Sequence, residues 1–128
     1  MLLLGVVKYD PRVLREVHAL RKAGYRVDII SSEYFPRNPI DFLIFNLKFI
    51  KEGFKKRASV YHAHDLCTLF AGVFLKKLLS ATLIYDAHEI FPELTKGFKK
   101  LFWYMFERIL IKYSDKVITV NKLSLIHI

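Results

Sequence analysis

A chain of 128 residues, 53% apolar and carrying 11 phenylalanines, has material for one domain with its own core, which excludes a disordered chain. Its net charge of +9 favours an anionic partner, leaving nucleic acid, a phospholipid surface and phosphorylated small molecules open. The one cysteine, Cys67, excludes a disulfide framework and suits a reducing compartment.

Leu2 to Val7 is a continuous apolar run that predicts a first buried strand. Asp10-Pro11 follows, an N-cap acceptor with proline at the first helical position. Val13, Leu14, Val17 and Leu20 repeat at helical spacing, while Arg12, Arg15, Glu16 and Lys22 fall elsewhere, and Gly24 ends the helix. Tyr25 to Ile30 predicts a second strand, so the opening third reads as a β-α-β unit with parallel strands. Asn38-Pro39 repeats the cap-and-proline signal and opens a second helix through about residue 54. Its apolar run from Ile40 to Ile50 is joined and followed by five cations, Lys48, Lys51, Lys55, Lys56 and Arg57. A third strand is expected over 59–62, and a third helix from about Leu66 to Leu79, apolar nearly all round and therefore deeply buried. A fourth strand covers about 82–86. The fourth helix carries Phe98, Leu101, Phe102, Met105, Ile109 and Tyr113 on one face, with Lys100, Glu107, Arg108 and Lys112 on another. Lys116 to Val120 is a fifth strand. Strands alternating with helices five times predict an α/β fold, a doubly wound parallel sheet of the Rossmann-like kind.

Leu123 to Ile128 reads as the translation of a sequencing adapter joined in frame, so His127 is given no role. Residues 1–122 then end on a strand and read as an incomplete domain.

The chemistry gathers where the third and fourth strands end. His62 and His64 stand at i and i+2, on one side of a continuing strand, with Asp65 next to them. They are conceivable metal ligands, but no third and fourth ligand stands at a recognisable spacing, and His88-Glu89 is not H-E-x-x-H, so no metal is expected. Asp65 is also expected to cap the third helix. His88 follows a buried strand in a loop that Pro92 helps to fix, where an imidazole can donate a hydrogen bond or act as acid or base. Asp86 and Glu89 can orient it or bind sugar hydroxyls. Cys67 reads as a core residue and His18 as surface. G-x-G-x-x-G, the P-loop and G-x-S-x-G are all missing, which argues against a dinucleotide cradle, a P-loop nucleotide site and a hydrolase elbow.

Several stretches together resemble the N-terminal domain of glycosyltransferase family 4, retaining enzymes of the two-domain GT-B fold. They are Asp10-Pro11-Arg12-Val13 with Leu20 and Ala23-Gly24-Tyr25; Tyr61-His62-Ala63-His64-Asp65; Tyr85 to Glu93; and Glu107 with Ser114 to Val120. They span nearly all of residues 1–122 in the right order. The departure is Lys8-Tyr9, where many relatives carry a glycine pair, so phosphate contact through that loop is in doubt, although Arg12 could supply charge. The resemblance implies an acceptor-binding domain that transfers a sugar only together with a second domain holding the nucleotide-sugar. It implies His88 as the catalytic-site histidine facing the transferred sugar, and Asp10, Arg12, His64, Asp65, Asp86 and Glu89 as substrate-binding residues. The nucleotide-sugar is a co-substrate, and no cofactor is expected.

The implied partners are a glycan or lipid-linked acceptor and, through the basic second helix, an anionic membrane surface. No run is long enough to span a bilayer, for which roughly 18–20 apolar residues are needed, and Met1 to Leu4 lacks a signal peptide's basic start. The expected place is the cytoplasm, at the inner face of the membrane. Nucleic acid is not an expected partner. Two alternatives from other classes remain open: a basic nucleic-acid-binding module, and a small stand-alone flavodoxin-like binding domain.

Overall fold

Two proline-led helix starts set the frame of the chain. The computed structural model describes residues 1–4, 10–34, 36–87 and 97–119. Its elements are β1 (Leu2–Leu4), α1 (Pro11–Lys22), β2 (Ile30–Ser32), α2 (Pro39–Lys56), β3 (Val60–His64), α3 (Leu66–Leu79), β4 (Thr82–Ala87), α4 (Phe98–Ile111) and β5 (Lys116–Thr119). The Asp10 carboxylate accepts the Arg12 and Val13 N–H groups, and Asn38 Oδ1 accepts the Asp41 N–H at 2.8 Å. Each satisfies a donor that the first helical turn leaves orphaned. Gly24, at φ 96°, takes the left-handed turn just past the C-cap of α1.

All strand pairs are parallel, in the order β2-β1-β3-β4-β5. The order reverses between β1 and β3, which makes their C-terminal ends a topological switch point. Pleat alternation divides the residues of β3 and β4 cleanly. Tyr61, Ala63, Leu83, Tyr85 and Ala87 enter the main core with Phe45 and Phe49 of α2, Leu66, Leu69 and Leu75 of α3, and Leu110 of α4. His62, His64 and Asp86 face the other way, toward Glu16 of α1. A smaller apolar cluster of Val13 and Val17 with Met1, Val27 and Ile29 seats α1. Burying a leucine completely contributes about 1.5–3 kcal/mol, so the main core dominates the stability.

One buried polar side chain braces the main core. Asn46 is fully buried; its Nδ2 donates to Phe42 O, and its Oδ1 accepts from Ala71 N at 3.0 Å, which ties α2 to α3. As expected, α3 is buried along most of its length and Cys67 lies in the core. Among the described residues, no helix is long and apolar enough to cross a membrane.

Four expectations are corrected. The second strand is Ile30–Ser32, not Tyr25–Ile30, because a strand needs a neighbour: β1 pairs from Leu2↔Ile30 onward, and residues 25–29 face no ladder. The third strand runs on through His64, two residues past its expected end, so His64 joins His62 in the sheet. Asp65 stands at the N-cap position of α3, but its carboxylate makes no capping hydrogen bond. The fourth helix buries Glu107 and Leu110, with Trp103 and Phe106 packed alongside, and turns Phe98, Leu101, Phe102, Met105 and Ile109 outward, while Tyr113 lies past its end at Ile111. Glu107 goes inward because the buried Tyr85 hydroxyl donates to its Oε1 at 2.7 Å. The apolar run of the first strand beyond Leu4 and the tail from Leu123 lie outside the described residues.

Candidate functional site

The site is built where β3 and β4 reach their C-terminal ends. The register pairs His62 with Ile84 and His64 with Asp86, so the two histidines and Asp86 share one face of the sheet. Glu16 comes to them from the second turn of α1. His62 Nδ1 lies 2.9 Å from Glu16 Oε1, and His62 Nε2 lies 3.6 Å from Asp86 Oδ2. His64 Nε2 lies 3.9 Å from Glu16 Oε2, and His64 Nδ1 lies 3.7 Å from Asp86 Oδ2. The two imidazoles stack with centroids 4.3 Å apart. Each carboxylate thus faces one edge of the same ring pair. His62, His64 and Asp86 are buried, whereas Glu16 is partly open to solvent.

The electrostatics follow from that arrangement. Burial drives the His62 pKa down, but the close approach of the Asp86 and Glu16 carboxylates outweighs it, so His62 lies above the ordinary imidazole value. Burial drives the Glu16 carboxyl up, and its hydrogen bond and charge interaction with His62, joined by His64, bring it below the usual carboxylate range. Both shifts favour an ion pair across α1 and β3.

Asp65 follows directly at the end of β3. Its backbone sits at φ 70° and ψ 159°, a region that residues other than glycine rarely occupy and that costs about 1–3 kcal/mol. The surroundings fix it there. Asp65 N donates to Asp86 O at 3.1 Å, and the Thr68 hydroxyl donates to the His64 carbonyl. Strain held by its neighbours at the end of a parallel strand is a recurrent feature of binding sites.

A cleft of about 390 Å³ opens among the N-terminal ends of α2, α3 and α4, at the strand-end edge of the sheet and on the face opposite His64 and Asp86. Phe42, Phe102, Trp103 and Phe106 wall it, and Arg37 and Lys99 stand at its lining. A second cleft of about 350 Å³ lies toward the other end of the strands, lined by Met1, Tyr25, Val60 and Ile84 among others.

Of the residues expected from sequence, His64, Asp65 and Asp86 are brought together. Asp10 and Arg12 sit at the start of α1, with Arg12 Nε 3.7 Å from Asp10 Oδ1, and Asp10 is engaged as the helix cap. Glu16 stands six positions after Asp10, about 9 Å along the helix axis. His88 and Glu89 lie outside the described residues. Sequence reading missed Glu16, which it assigned to the polar side of α1. The available signal was its spacing: Glu16 is three residues after Val13 and one before Val17, so it borders the buried stripe. Comparison with protein families, curated proteins and solved structures finds no match to the chain.

Proposed function

We propose that the chain is the acceptor-side domain of a retaining glycosyltransferase of family 4, with the doubly wound Rossmann-like fold of the N-terminal half of a GT-B enzyme. The observation that carries the reading is the meeting of His64, Asp65 and Asp86 at the C-terminal ends of adjacent parallel strands, beside the switch point. Ligands of open α/β sheets bind at that crevice. Carboxylates and imidazoles match the donors and acceptors of sugar hydroxyls. The aromatic wall of the cleft across the sheet suits a sugar face or a lipid chain, and Arg37 and Lys99 suit a phosphate.

In this reading His88 follows β4 by one residue and faces the transferred sugar, with Asp86 and Glu89 beside it and Asp10 and Arg12 along the same edge. A second α/β domain of a longer chain holds the nucleotide-sugar, no cofactor takes part, and residues 1–122 alone transfer nothing. Val60 and Ile118 are exposed on the face of the sheet opposite α2 and α3, where a further element of such a chain would pack. The acceptor is a glycan or a lipid-linked sugar at the cytoplasmic face of a membrane. Support for the membrane comes from α2, whose outer side exposes Ile40, Leu43, Ile44 and Leu47 interleaved with Lys48, Lys51 and Lys55. A basic apolar surface of this kind gains about 1 kcal/mol per cationic side chain against anionic lipid.

Chemical-shift mapping of the labelled chain, titrated with a polyprenyl-phosphate-linked sugar and with soluble oligosaccharides, tests the reading. Shifts centred on His64 to Thr68, Asp86 to Glu89 and the aromatic cleft are expected for one of them. Shifts confined to the opposite end of the sheet, or none with either class, overturn it.

A further inference from the structure

We propose that Glu16, His62, His64 and Asp86 form a binding site for one divalent transition-metal ion of the zinc type, which cross-links α1 to β3 and β4. The inference shares His64 and Asp86 with the sugar-binding reading, and its test stands without that reading.

Spacing along the chain hides this site, because its ligands come from three elements. The fold brings one ligand atom from each of the four residues within 4.8 Å of one another. Around a tetrahedral zinc ion with bonds of 2.0–2.1 Å, neighbouring ligand atoms stand about 3.3 Å apart. The imidazole-to-carboxylate approaches here, from 2.9 to 3.9 Å, involve both nitrogens of each ring; an ion takes one nitrogen from each, so the carboxylate on the far ring edge has to swing toward it as it binds. Two imidazoles and two carboxylates are a donor set of nitrogen and oxygen that fits zinc and its neighbours in the transition series.

Burial gives the ion something to do. His62, His64 and Asp86 are 7%, 0% and 4% exposed, so carboxylate charge is held where water solvates it poorly. His62 Nε2 is buried without a hydrogen-bond partner, and Asp86 Oδ2 at 3.6 Å is too far for a full one. A cation between these groups supplies the attraction that this spacing lacks. Glu16, with its side chain 31% exposed, leaves a way in from solvent. The ring planes are 22° apart, so their lone pairs run side by side; taking up the ion fans the rings toward a common point.

The test uses the purified 128-residue chain stripped with a chelator and titrated with zinc chloride by calorimetry, and with cobalt(II) by visible absorption. One equivalent of zinc is expected to bind, and cobalt(II) to give the absorption of a four-coordinate site. At a hundredfold excess over Kd the melting temperature is expected to rise by about 10 °C. Glu16→Gln and His62→Asn are each expected to weaken binding at least tenfold, while His18→Gln, an exposed neighbour on α1, leaves it unchanged. Should His62→Asn fail to fold, Glu16→Gln carries the test, because its side chain is partly exposed on a helix surface. Absence of saturable binding overturns the proposal. So does binding that survives Glu16→Gln in the folded protein, or that falls equally with His18→Gln.

Discussion

Tyr85→Phe removes a single oxygen from the middle of the core, and its cost can be worked from the structure. Tyr85 is fully buried, and its hydroxyl donates to Glu107 Oε1 at 2.7 Å, with Glu107 itself only 7% exposed. Burial, reinforced by the Glu107 carboxylate, pushes the Tyr85 hydroxyl far above its usual range, so it stays a donor at every accessible pH. The substitution leaves the aromatic packing in place and removes a buried donor to a carboxyl group. Hydrogen bonds to charged groups contribute about 1.5–3 kcal/mol, and a buried acceptor that loses its donor falls toward the upper end. We expect a loss of about 2–3 kcal/mol. For a two-state domain of 128 residues that is a fall in Tm of about 7–11 °C. Urea denaturation followed by Trp103 fluorescence, supported by thermal melts, measures it. Replacing both partners, Tyr85→Phe with Glu107→Leu, is expected to recover part of the loss, because no buried carboxylate then needs a donor. A single-variant loss below about 0.5 kcal/mol, or a double variant worse than the sum of its parts, refutes the reasoning.

Three further outcomes follow from the same geometry. Asp65→Gly is expected to raise stability by about 1 kcal/mol or more by relieving the backbone at φ 70°, whereas Asp10→Ala lowers it by about 1 kcal/mol through the lost cap; urea midpoints of the two variants separate them. The hydrogen bond from Leu83 N–H, joined by Lys76, holds the Asp115 carboxyl below its ordinary value of 3.8, so its contribution is present above that value and is lost as pH falls through the folded-state pKa. Thermal melts of wild type and Asp115→Asn should therefore differ at neutral pH and converge in strong acid; a gap that persists or widens in acid contradicts the assignment. Flotation with vesicles should carry the chain upward with anionic lipid, less so after Lys48, Lys51 and Lys55 are changed to Gln, and not at all with neutral lipid. Equal flotation with both lipids removes the electrostatic account.

Local chemistry explains what could be read from sequence. Asp10-Pro11 and Asn38-Pro39 announce helix starts through side-chain oxygens that reach only the next turn, and both caps form as expected. The third helix was legible from end to end because its apolar run spans Leu66–Leu79, and the structure ends it there with a left-handed Ser80. The i, i+2 spacing of His62 and His64 correctly placed both on one face. What was illegible depends on partners distant in sequence. The second strand is set by where β1 begins to pair, not by the apolar content of 25–29. Trp103, Phe106 and Leu110 are as apolar as the outward residues of α4, so hydropathy could not choose its inner face; Tyr85 chose it through Glu107. Asp65 looked like a cap by residue type, yet its backbone follows the bond to Asp86. Glu16 is 46 residues from His62, and only the packing of α1 against the sheet brings them into contact.

The most direct test of the central claim follows the reading frame past codon 122 with primers clear of any adapter. Any longer protein found there is then supplied with labelled nucleotide-sugars and a membrane lipid extract. The account predicts a second α/β domain and transfer of label to an acceptor by the full chain, with His88→Ala reducing transfer at least a hundredfold while the fold is kept. A stop directly after Ile128, or a full-length chain that transfers nothing from any nucleotide-sugar, contradicts it.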